Sequence, residues 1–248
     1  MLAVITGASS GIGKEIAYRL AKQNYNLILI ARRLDRLESI KNDLSEYPIS
    51  VDLLDYDISD LNKCKSLITS LKSNKPDIFI NNAGFGVYGD SLTVDTDKEL
   101  EMINLNIISL HYLTKELIKI MDKGTIINIS SMAAFLPTPL LASYAATKAY
   151  VYSYSQAVNY ELKKNNKQVN VMTVCPGPVK TEFNQVANAD PKMKGITVEQ
   201  CVDSIIKGLN KKKSLVIPSF KMKFLRFIMR FVPTSLILKV SHKVQSRK

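Results

Sequence analysis

Cysteine and histidine are scarce in this 248-residue chain, which holds Cys64, Cys175 and Cys201 and the two histidines His111 and His242. The cysteines are odd in number, scattered and without a C-x-x-C pair, so neither a disulfide framework nor a zinc site is indicated. Neither histidine lies near a cysteine or carboxylate cluster with ligand spacing, and no metal is expected. Also missing is a basic region ahead of an apolar core at the start: Met1 leads straight into a short apolar run, so no secretory signal is read and a reducing cytosol is the expected setting. The uncharged stretch 124–147 is long enough to raise the question of a membrane span, but Asn128, its serines and Pro137 and Pro139 make it a strand and loop. Acidic residues are absent from 204–248, which carries 12 of the 34 Lys and Arg; residues 1–203 hold 22 of each sign, so the formal charge of +12 belongs wholly to the tail.

A chain of this length with 46% hydrophobic residues can bury a large core within one α/β domain. Short β-branched runs alternate with helical patterns, which predicts parallel strands joined by helices. Candidate strands are 2–6, 26–31, 49–54, 77–81, 124–130, 168–174 and 214–217, with one long helix over 97–121 and another over 143–163. The expected architecture is a single doubly wound, Rossmann-like domain over 1–217: a parallel seven-stranded sheet with helices on both faces. A basic amphipathic extension follows over 218–248.

Glycines 7, 11 and 13 fall where the first strand turns into a helix. Bare glycine backbone and the positive end of a helix dipole suit a diphosphate there. The spacing is G-x-x-x-G-x-G, not the more familiar G-x-G-x-x-G. Tyr144 and Lys148 lie one helical turn apart, so an ammonium shares a helix face with a phenol, and a nearby positive charge lowers a tyrosine pKa. Taken in order, Thr6 to Gly13, Asn81-Asn-Ala-Gly84, Ser131, Tyr144-x-x-x-Lys148 and Pro176-Gly-Pro-Val-Lys-Thr181 resemble the short-chain dehydrogenase/reductase family over about residues 1–210.

That resemblance implies hydride transfer between a nicotinamide and a carbonyl or alcohol. Tyr144 is then the general acid/base, Lys148 its cation and a ligand of the nicotinamide ribose, and Ser131, thirteen residues ahead of Tyr144, the holder of the substrate oxygen. Ser130 is the structural neighbour unless the strand register slips by one. Asn106, rather than Asn104, fits the family's fourth catalytic position, with Ser109 and Thr114 completing its context, and relays to Lys148. The cofactor is expected to contact Gly7, Ser9, Ser10, Gly11, Ile12 and Gly13, then Asn82, Ala83 and Gly84, then Pro176, Gly177, Val179 and Thr181. Asp57 matches the position that holds the adenine amino group, with a helix-capping aspartate as the alternative.

Where an acid after the second strand would favour NAD, this chain has Arg32 and Arg33, which suit a 2′-phosphate and so NADP(H); the bland alternative is solvated helix-start charge. Residues 182–196 are expected to form a substrate lid. In the tail, Lys223, Arg226 and Arg230 share a helical stripe amid apolar residues, and 235–244 repeats the theme. This hairpin either packs its apolar face over the pocket or a partner subunit, the preferred expectation, or makes peripheral contact with an anionic membrane. Nucleic acid is not an expected partner. The function expected is an NADP(H)-dependent oxidoreductase interconverting a ketone or aldehyde and an alcohol, on an apolar or acyl-chain substrate and as a homo-oligomer. A catalytically idle NADP-binding interaction protein is the alternative.

Overall fold

The computed structural model describes residues 1–182 and 195–246. Strands and helices alternate: β1 (Leu2–Thr6), α1 (Gly11–Ala21), β2 (Asn26–Ile30), α2 (Leu34–Asp43), β3 (Val51–Leu54), α3 (Leu61–Leu71) and β4 (Ile78–Asn81). After α4 (Thr96–Ile103) and α5 (Leu110–Ile120) come β5 (Lys123–Ile129), α6 (Ala142–Lys164), β6 (Gln168–Val174), α7 (Val198–Asn210) and β7 (Leu215–Val216). Two helices close the chain, α8 (Phe220–Ile228) and α9 (Thr234–Gln245).

The seven strands form one parallel sheet in the order β3-β2-β1-β4-β5-β6-β7, so the chain reverses its direction of travel between β1 and β4. Strands of such a sheet are covered on both faces, which is why Leu2-Ala-Val-Ile-Thr6 is buried along its whole length. On one face Ile16, Leu20, Leu37, Cys201 and Ile205 pack against Ile5 and Leu29. On the other, Leu67, Leu71, Leu113, Leu117 and Leu162 pack against Val4, Phe79 and Val171. Each fully buried Leu or Ile contributes about 1.5–3 kcal/mol. Helix starts follow local chemistry: the carboxylates of Asp60 and Asp95 accept from Asn62 N and Asp97 N at 2.8 and 2.9 Å, and Thr197 and Gln200 cap each other reciprocally at the head of α7.

The expected single helix over 97–121 is instead α4 and α5 separated by a wide π turn over Asn104–Ser109. Two asparagines explain the interruption. The Asn104 side chain donates to Ser59 O at 2.9 Å, while that of Asn106 donates to Phe85 O at 2.9 Å, so the helix must serve two different neighbours within one turn. An inserted residue in the ladder provides that freedom. Strand bounds shift slightly: β3 starts at Val51 because Ile49 N is already used by Tyr47 O at 2.8 Å, and β7 keeps only two residues. All three cysteines are buried without disulfide partners, and burial pushes their thiols up, to about 11 for Cys64 and about 12 for Cys175 and Cys201.

Candidate active site

The carboxyl ends of β1, β4 and β5 meet at the point where the strand order reverses, the usual ligand crevice of an open α/β sheet. Gly7 has φ +65° and Gly11 φ +54°, a left-handed conformation that side chains resist. Gly13 is needed for proximity instead, since a Cβ there would lie 2.4 Å from Gly7 O. Asn82 ties the turn to β4 by donating from Nδ2 to Thr6 O at 3.1 Å and Gly7 O at 3.0 Å, and Thr6 Oγ1 accepts from the amides of Asn82 and Ala83. Ser10 precedes α1 without a side-chain cap bond to it, leaving first-turn amides directed at the crevice. Glycine cradle, helix terminus and crevice together fit a dinucleotide diphosphate.

Tyr144 and Lys148 stand on the buried face of α6, 8% and 6% exposed. Lys148 Nζ lies 5.8 Å from the Tyr144 ring centroid and donates to Ile129 O at 3.1 Å. Ser131 hydrogen-bonds the Tyr144 phenol, whereas Ser130 turns away and donates to Lys148 O at 2.7 Å, so of the two serines Ser131 is the one beside the phenol. Asn106 reaches the same corner: a Cβ on Gly84 would sit 2.8 Å from Asn106 Oδ1 and 3.4 Å from Lys148 Nζ.

The Tyr144/Lys148 spacing predicts that Lys148 lowers the phenol. In the protein alone, burial pushes Tyr144 up to about 12, opposed by the Ser131 hydrogen bond. Burial also brings Lys148 down to about 8, so the cation meant to help the phenol is itself weakened by the same desolvation.

The two arginines part company. Arg33 lies over the glycine turn, donating to Ser9 Oγ at 3.0 and 3.2 Å and to Ser10 Oγ at 3.0 Å. Arg32 has a side chain 77% exposed and, among the described residues, pairs with Asp57 at 3.6 Å. Asp57 sits below its ordinary pKa: burial raises it, but hydrogen bonds from Ser59 and the Arg32 charge outweigh that. Arg36 carries no motif in the sequence, and Glu182 is marked there only as the start of the expected lid. The Glu182 carboxylate bridges Arg33 at 3.1 Å and Arg36 at 2.7 Å, which gathers two guanidinium groups around one anionic group beside Ser9. Residues separated by 146 positions leave no local signal of this contact.

Ile12 packs into the core beneath the turn, and Thr181 comes within 3.2 Å of where a Gly11 Cβ would lie. Pro176 O accepts from Met132 N at 2.8 Å, a methionine side chain at 222 presses on Gly177, and Val179 bridges to Ile196. Most of the expected lid, residues 183–194, lies outside the described residues.

A buried polar chain, also unforeseen, holds α6 to the sheet. Asn81 Nδ2 donates to Asn128 Oδ1 at 2.8 Å, and Asn128 Nδ2 donates to Ser155 Oγ at 2.9 Å, with Thr114 between. On the flank of α6 turned away from Tyr144, a cavity of about 620 Å³ is lined by Ala134, Phe135, Leu136, Pro137, Ala146, Ala149 and, from α9, Leu238. His111 pairs with the Tyr150 hydroxyl at 2.7 Å, and among the described residues no cluster of His, Cys, Asp and Glu could hold a metal.

Comparison with known proteins agrees with this geometry. The short chain dehydrogenase family model matches residues 1–192. Hydroxysteroid dehydrogenase-like protein 1 of Gallus gallus is 36% identical over 73% of the chain, which spans 56% of that longer relative. A very-long-chain 3-oxoacyl-CoA reductase of Anas platyrhynchos is 30% identical over 99% of the chain and 81% of its own length. Among solved structures, a short-chain dehydrogenase of Sphingobium yanoikuyae in complex with NADPH superposes with a TM-score of 0.83 at 30% identity, covering 88% of each chain.

Proposed function

Because the chain belongs to the short-chain dehydrogenase family and is a carbonyl/alcohol oxidoreductase, we propose that it uses NADP(H) to reduce an apolar or acyl-chain ketone, with Tyr144 as the proton donor. The observation that carries this reading is the meeting of Ser131, Tyr144 and Lys148 at the end of β5, beside the glycine turn. NADPH bound at that turn supplies the hydride; the chain supplies everything else. Ser131 holds the carbonyl oxygen, and the Tyr144 hydroxyl gives its proton to that oxygen as the new C–H bond forms. A phenol pushed up to about 12 stays protonated near neutral pH, which suits a donor in the reductive direction. Lys148, fixed by Ile129 O, stands behind the phenol, with Asn106 beside it.

NADP(H) over NAD(H) is supported by Arg33, and by Arg36 one turn on, converging on a carboxylate where a 2′-phosphate is expected. The NADPH complex of the Sphingobium enzyme points the same way. An apolar substrate is supported by the acyl and steroid names of the relatives. A panel of ketones graded by chain length, read as NADPH oxidation, tests the reading: turnover is expected to rise with alkyl length and to be far weaker with NADH. No turnover of any ketone with either nucleotide would overturn it.

A further inference from the structure

Helix α8 is built inside out. Met222 and Arg226, one turn apart, face the body: Met222 packs with Met132 and Cys175, and Arg226 donates to Tyr152 Oη at 2.9 Å while lying 4.5 Å from the Phe135 ring centroid. Phe220, Phe224, Phe227 and Phe231, spaced four, three and four residues apart, form the opposite stripe and are 82%, 58%, 58% and 74% exposed. Lys221 flanks that stripe on one side, and Lys223 and Arg230 on the other, all exposed. Helix α9 repeats the pattern with exposed Leu236, Val240 and Val244 beside Lys239 and Lys243, and its end is held by Tyr88 Oη donating to Gln245 O at 2.6 Å.

We infer that the outer face of α8 and α9 is a docking surface for an anionic lipid bilayer, entered by the phenylalanines and gripped by the flanking cations. An exposed aromatic stripe of this size is not expected on a surface that meets only water. A second copy of the chain fits it badly. A two-fold contact would press the patch against itself, setting Lys221, Lys223 and Arg230 against their equivalents with no acidic residue anywhere in 204–248 to pair them. Anionic headgroups supply the missing charge, and a bilayer interface takes in phenylalanine without needing a shaped partner. Among the described residues no helix is long and apolar enough to cross a membrane, so the contact is with the surface. This inference holds whatever the substrate, since none of these side chains belongs to the crevice.

The test is flotation of the full chain with phosphatidylcholine vesicles and with vesicles that also contain phosphatidylserine. Binding is expected only to the anionic vesicles, and high salt should weaken it. Two variants probe the two contributions, with thermal unfolding used to verify that each is folded: Phe224→Ser/Phe227→Ser/Phe231→Ser, and Lys221→Glu/Lys223→Glu. Each should lower vesicle affinity by about tenfold or more. The inference is overturned by absent binding, by equal binding to neutral vesicles, or by a serine variant that still binds while its oligomeric mass drops, which would make the face a subunit contact.

Discussion

Helices α6 and α8 sit in contact with the same 3-10 turn, Met132–Phe135, yet they place their residues in opposite senses. α6 carries Tyr144, Lys148, Ser155 and Asn159 into the interior, whereas α8 buries no residue and holds its phenylalanines outward. Burial without compensation is costly for polar groups, and exposure forfeits the gain available to apolar ones. A helix that violates the ordinary distribution does so where something other than stability is being served. In α6 the compensation is visible as hydrogen bonds to Ile129 O, Ser131 and Asn128. In α8 nothing within the described chain covers the aromatic stripe, and the missing partner is what the vesicle experiment supplies.

If the buried polar face of α6 is chemical, Tyr144→Phe should lower the turnover of NADPH with a reactive ketone by about a thousandfold while leaving nucleotide affinity, read by fluorescence titration, nearly intact. Comparable turnover in the variant would make Tyr144 a packing residue. Lys148 offers a sharper probe, because its folded pKa of about 8 lies below the 10.5 of the exposed group. Between these values the unfolded chain binds more protons than the folded one. Cofactor-free protein should therefore gain stability as pH rises from about 8 towards 10.5, by on the order of 3 kcal/mol, and Lys148→Met should flatten that rise. Chemical denaturation across that range measures it.

Asn128→Ala removes the centre of the chain joining Asn81, Thr114 and Ser155, and should cost about 2–3 kcal/mol by stranding buried donors. The paired arginines give a smaller and more selective effect. Arg33→Ala should weaken NADPH relative to NADH by about tenfold, and Arg32→Ala by much less, since only Arg33 lies over the glycine turn. Equal losses from the two would remove the distinction. Finally, Phe224→Ser should change stability by less than about 0.5 kcal/mol, as expected of a side chain that is more than half exposed. A large loss would mean that α8 is an ordinary amphipathic helix with its apolar face inward.

Legibility in the sequence followed locality. The glycine turn, the Tyr144/Lys148 pair and the order of Ser130 and Ser131 each depend on spacing within a few residues, so their placement around one crevice is legible from periodicity and motif order. The sheet followed from runs such as Leu2-Ala-Val-Ile-Thr6, which are buried throughout. Arg36 has no local signal because its meaning comes from Glu182, 146 positions away in the chain. The π turn at Asn104–Ser109 depends on backbone acceptors at Ser59 and Phe85, again invisible locally. The desolvation that raises Tyr144 is not legible in the sequence, because spacing reports a neighbouring charge and says nothing of burial. For the tail, the cationic stripe was legible, but the inward turn of Arg226 onto Tyr152 and Phe135 was not.

The sealed thiols have a practical use. With Cys64, Cys175 and Cys201 fully enclosed and kept protonated, the native protein offers maleimide reagents almost nothing to attack. A single cysteine introduced at position 224 would therefore carry a fluorophore selectively, and its emission colour would report, in real time, whether that edge of the molecule is in water or in oil.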